Sequence, residues 1–176
     1  MKGYLIFLAV FLTTAWACGD YGNPVHEQKT VEPPGIPALG QGQASFLLNG
    51  TRHDISIFAQ RNGYNLNEVV LRGSGKGMEN TLILTFRPNE GNAEVNIEMT
   101  GYWDLGLCIP FNKYLLSSSP RNIIRVLSYD SGSGYLKAEF DLTFLHESDT
   151  TRVASFTDGT FEASVDYSAF TYCIEG

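Results

Sequence analysis

Long apolar runs are missing from this sequence. The longest, Tyr4 to Leu12, is about half of the roughly 20 residues a helix needs to cross a bilayer, so a transmembrane helix is not expected. Positive charge is scarce as well: 12 Lys and Arg stand against 19 Asp and Glu, a net charge of −7. With no Lys/Arg cluster as a local exception, this balance repels phosphate backbones, and nucleic acid is not an expected partner. The 3.6-residue apolar period of a long amphipathic helix is absent, and so is any internal repeat. Catalytic and metal signatures are equally thin. "GSGKG" at 73–77 lacks the spacing and following Ser or Thr of a phosphate loop, and "DSGSG" at 130–134 lacks the further acids of a calcium loop. His26, His53 and His146 are scattered, with no spacing that suggests a preformed zinc site, so neither metal nor cofactor is expected. No G-x-S-x-G elbow occurs, and Asp104, Asp141 and Asp166 read as solvated strand acids rather than a glycosidase pair.

What is present begins with an export signal. Lys2, the apolar stretch and the small residues ending at Ala15-Trp16-Ala17 have the three-part layout of a cleavable secretory peptide, residues 1–17. Ala15 and Ala17 satisfy the plain secretory cleavage rule, while Cys18 at the first mature position satisfies the bacterial lipoprotein rule, which alone explains the cysteine. Cys18 is therefore the expected lipid attachment site, and acyl chains worth about 0.8 kcal/mol per buried CH₂ would hold the protein on a membrane surface. Residues 18–43 are rich in Gly, Pro and Gln, with Pro24, Pro33, Pro34 and Pro37 opposing regular pairing, and read as a flexible tether.

From Ala44 to Gly176 the chain reads as a single all-β domain. Leu82, Leu84 and Phe86 share one face; Val95, Ile97 and Met99 alternate with Asn96, Glu98 and Thr100; and Leu136 to Phe144 runs in strict alternation. Phe161, Ala163 and Val165 repeat it. One face inward and one in water is the habit of antiparallel sheets. Turn signals between the runs, among them "PNEGN", "SSSPRN", "DSGSG" and "TDG" at 157–159, suggest an antiparallel β-sandwich or a barrel.

"GYWDLG", residues 101–106, is the one segment richer than a turn requires. Tyr102, Trp103 and Asp104 could form a flat aromatic and hydrogen-bonding platform for a glycan. The simpler reading is that Trp103 plugs the open end of the core, and it is the favoured one. Once Cys18 is committed to lipid, Cys108 and Cys173 remain in an oxidising compartment, where they are expected to pair and tie down the C-terminus; two buried free thiols are the other reading.

An export signal ending in Cys18, a short polar tether, a first strand running into Asn-Gly ("SFLLNG", 45–50) and a last strand announced by "FTDGTFEASV" (156–165) resemble the small β-rich lipoproteins of Gram-negative bacteria classed as domains of unknown function. The resemblance spans roughly residues 44–167 and implies location and fold; it brings no catalytic residue with it. The expected function is that of an envelope β-domain, anchored by lipid to what is expected to be the outer membrane. It would work without catalysis, through binding to a glycan or an envelope protein or as an accessory component. A secreted hydrolase acting on glycans or esters is the alternative.

Overall fold

The computed structural model describes residues 36–106 and 109–171, which form twelve strands and no helix. Cys18, Cys108 and Cys173 lie outside the described residues, as do the expected signal and most of the tether.

The first two strands, β1 (Gln41–Leu48) and β2 (Thr51–Asn62), form a hairpin. Its turn is Asn49-Gly50, with φ of 50° and 82°. Positive φ at both central residues is what a tight two-residue hairpin turn demands, and Asn-Gly meets that demand cheaply. β1 begins three residues ahead of the expected domain start at Ala44. The chain continues through β3 (Val69–Gly73) and β4 (Thr81–Arg87). After the short pieces β5 (Gly91–Asn92) and β6 (Glu94–Val95) come β7 (Gly101–Gly106) and β8 (Ile109–Leu116). β9 (Ile123–Tyr129), β10 (Tyr135–His146), β11 (Val153–Ser164) and β12 (Asp166–Thr171) complete the fold.

Pairing runs β11-β1-β2-β3-β4-β7-β8-β10, and β10 pairs back onto β11. The result is a closed, antiparallel, eight-stranded β-barrel with four extra strands. Of the two architectures expected from the sequence, the barrel is the one formed. β10 borrows two neighbours along one edge, β8 beside Phe144–His146 and β9 beside Leu136–Asp141. β4 likewise takes β7 at Thr81–Ile83 and β6 at Phe86–Arg87. One side of the barrel is thus built in two tiers, with β7 and β8 above and β5, β6 and β9 below. The upper end carries the 49–50 turn and the loops 74–80 and 147–152. The lower end carries 63–68, 88–90, 130–134 and Val165.

Alternation supplies the core as expected. Phe46, Phe86, Phe144 and Phe156 are fully buried inside the barrel, and Leu82, Leu84, Leu136 and Phe161 point the same way. Phe46 and Phe156 meet at 5.1 Å between ring centres. The gap that remains between Ala44, Leu71, Leu84, Phe140 and Phe161 measures about 10 Å³. Such an interior is packed solid, as in barrels whose side chains meet across the axis.

Two expectations about elements are corrected. The alternation from Val95 to Thr100 predicts a strand, but β6 ends at Val95 and a turn follows, with Ile97 67% exposed. The Asn96 side chain causes this: its carbonyl accepts the Met99 N–H at 3.2 Å, closing a local turn that competes with a ladder. "TDG" at 157–159 predicts a turn between strands, yet it lies inside the twelve-residue β11. There the register slips against both β1 and β10, a β-bulge, with Asp158 at φ 49° and its N–H bound to Asp141 at 3.0 Å.

Candidate functional site at the upper mouth

β7 places Tyr102 and Trp103 on opposite sides of the barrel wall. Tyr102, 3% exposed, points inward beneath the upper mouth; Trp103, 4% exposed, lies on the outside with Val70 and Ile83. The indole rests flat on Gly101, where an added Cβ would fall 2.0 Å from Nε1, and Nε1 donates to the Tyr114 carbonyl at 3.2 Å. Asp104 is exposed, just past a register slip between Tyr102 and Asp104 in the pairing of β7 with β8. The structure therefore does not bring Tyr102, Trp103 and Asp104 together as one flat platform, because neighbouring strand residues face opposite ways. Trp103 is buried, but it does not plug the open end of the core as the favoured reading had it: it packs with Val70 and Ile83 on the outside of the barrel wall. Asp141 and Asp166 sit at opposite ends of the fold, and each is engaged in a local turn or bulge contact.

Tyr102 belongs instead to a hollow of about 780 Å³ at the upper mouth, which also takes in His53, Lys76, Glu79, Tyr114 and Arg152. Its phenolic oxygen accepts two backbone N–H groups, Glu79 at 2.9 Å and Asn80 at 3.1 Å, and so fixes the 74–80 loop over the barrel. Among the described residues the Tyr102 hydroxyl proton has no acceptor. Burial pushes this phenol above its ordinary pKa, against the opposing pull of the two N–H groups, so the proton is retained and available to donate.

Tyr114 packs against Tyr102 at 5.6 Å and meets the His146 ring edge-on at 5.1 Å. Arg152 caps its face, with the guanidinium carbon 5.5 Å from the ring centre. His146 is tied on both ring nitrogens: Nδ1 accepts the Ser148 N–H at 3.3 Å, which leaves Nε2 to donate to Asn112 at 3.1 Å. His53 stacks on Phe46 at 5.8 Å and has no hydrogen bond to a described residue. Of the three cations lining the mouth, Arg52 lies 3.8 Å from Asp54, while Lys76 and Arg152 have no ion pair among the described residues. Glu79 is the one acid in the lining.

Sequence reasoning singled out Tyr102 but missed Tyr114, Lys76 and Arg152. These reach the mouth from β8 and from two loops, and nothing in their local spacing marks them.

The described chain thus defines a filled, closed β-barrel with a polar, partly cationic mouth at one end. No protein-family model, curated protein or solved structure matches it.

Proposed function

We propose that the chain is a lipid-anchored envelope β-domain that binds a glycan at the upper mouth without transforming it. The observation that carries this reading is the mouth itself: a preset phenol donor and two cations with no ion pair among the described residues face a hollow large enough for a saccharide unit, within a chain otherwise rich in acid. Among the described residues no serine hydroxyl bonds a histidine ring, and Glu79 is a single carboxylate without a second across the hollow. Both features favour binding over hydrolysis. Lipid attachment at Cys18 belongs to the same reading. β1 starts at the lower end, so a tether joined there presents the upper mouth away from the point where the chain enters the barrel.

A glycan array probed with the processed protein tests this. Acidic glycans are expected to be retained, and the double substitution Lys76→Ala with Arg152→Ala is expected to reduce their signal at least tenfold. An unchanged array profile for the double variant would overturn the assignment of the mouth.

A further inference from the structure

The lower end holds a second hollow, about 500 Å³, lined by Arg61, Asn67, Glu68, Tyr129, Ser131 and Tyr167 among others. The Arg61 side chain has no ion pair and no hydrogen bond among the described residues, and its Nε is buried. Its guanidinium carbon stands 5.0 Å from the Tyr167 ring centre, a contact that orients the group without neutralising it. A buried guanidinium nitrogen without an acceptor is costly to maintain.

Glu68 and Asp130 make their hydrogen bonds to other groups and remain charged without pairing with Arg61. Glu68 accepts the side-chain amides of Asn62 at 2.7 Å, Asn65 at 2.8 Å and Asn96 at 3.3 Å. Asp130 is held by Gly132 and Ser133 of its own turn. Arg87, which also lines the hollow, is bound to Glu94 at 3.0 Å. Arg61 is therefore a lining cation of this end without an ion pair among the described residues.

Hydroxyl donors stand beside it. The Tyr129 and Tyr167 oxygens are 2.6 Å apart, so one proton bridges them and the other is free to donate outward. Burial, reinforced by the Tyr129 bond, pushes the Tyr167 phenol well above its ordinary pKa and keeps it protonated. Arg61 comes from β2, Tyr129 from β9, Tyr167 from β12 and Ser131 from the turn after β9. Donors arriving from four places suit a tetrahedral oxyanion better than a planar carboxylate, which one guanidinium fork can satisfy alone.

We propose that the lower mouth is a phosphate-binding site centred on Arg61 and the Tyr129–Tyr167 hydroxyl pair. The phosphate is either free or esterified in a lipid headgroup. The chain enters the barrel at this same end, where the Gly40 N–H bonds the Ser164 carbonyl at 2.7 Å, so an anchored protein holds Arg61 within reach of headgroups. The lipid source rests on the anchor at Cys18; the phosphate chemistry does not.

Titration of the full processed chain with inorganic phosphate, followed by ¹H–¹⁵N NMR, is expected to shift Arg61, Ser131 and Tyr167 in a saturable way. Arg61→Gln is expected to weaken binding at least tenfold and Tyr167→Phe severalfold, while Arg121→Ala, at an exposed loop cation outside both mouths, leaves it unchanged. A second arm sediments the unanchored Cys18→Ser protein with vesicles of phosphatidylglycerol and phosphatidylethanolamine, and with digalactosyldiacylglycerol vesicles that lack phosphate. Arg61-dependent sedimentation with the phospholipid vesicles alone assigns the headgroup. Phosphate binding without sedimentation assigns the free ion. No shift at the lower mouth and no Arg61-dependent sedimentation, or equal affinity in Arg61→Gln, overturns the site and leaves the glycan reading of the upper mouth untouched.

Discussion

Tyr102 holds two backbone N–H groups on a single phenolic oxygen. Tyr102→Phe keeps the ring and removes the acceptor, leaving both N–H groups to find water or stay unpaired. The expected loss is about 1–3 kcal/mol, read as a lower urea midpoint with faster amide exchange confined to residues 74–80. Tyrosines also set the alkaline limit of the fold. Burial raises Tyr102, Tyr135 and Tyr167 above the ordinary value of 10.0. The unfolded chain therefore loses its phenol protons first, so this contribution is full below about pH 10 and falls as pH rises beyond it. Urea midpoints that decline above that pH, with the part of the phenolate absorbance that belongs to these three tyrosines appearing as the protein unfolds, are the expected observation. A single residue such as Tyr102 could be picked out from the sequence because "GYWDLG" is compositionally unusual. Its functional neighbours could not, because Glu79 and Arg152 are distant in sequence and reach it only through strand pairing and the shared mouth.

At the level of strands, the sequence was most legible where burial alone decides the outcome. The run from Leu136 to Phe144 alternates because one face meets the aromatic core, and β10 follows it residue for residue. It was least legible where two structures ask for the same residues. Asp158-Gly159 suits a hairpin turn and a β-bulge equally, since both exploit positive φ or the lack of a side chain, and only the pairing of β11 with β1 and β10 selects the bulge. Gly159 is needed there for space: an added Cβ would lie 2.6 Å from the Phe140 carbonyl oxygen and 2.7 Å from its ring. Gly159→Val is accordingly expected to cost about 1–3 kcal/mol, measured by chemical denaturation, through displacement of Phe140 from the core. The turn at Asn96 shows the opposite failure. Perfect alternation was outvoted by one side-chain amide with a nearby N–H to capture.

For the molecule as a whole, the sequence indicated an all-β domain but left sandwich and barrel equal. The distinction lies in whether the first long strand meets the last, and no local pattern encodes that. The proposed anchor, by contrast, is a whole-molecule property read from a few residues. Cys18→Ser is expected to move the protein from the membrane pellet to the soluble fraction or leave it unprocessed, with intact mass reporting the missing acyl chains. An unmodified Cys18 in the wild-type protein would reject anchoring.

The closing seam carries a further consequence. Gly42 pairs with Ala163, and Asn49 holds Ser155 across 106 positions, so the first stave waits for nearly the last residues of the domain before the ring exists. Contacts of that separation form late, and strands without their partners stay open. For a chain proposed to leave the cytoplasm through an export channel that admits only unfolded polypeptide, the delay would be an advantage. The proposed N-terminal signal would emerge long before β11 is synthesised, and until β11 is made the ring that joins it to β1 cannot close.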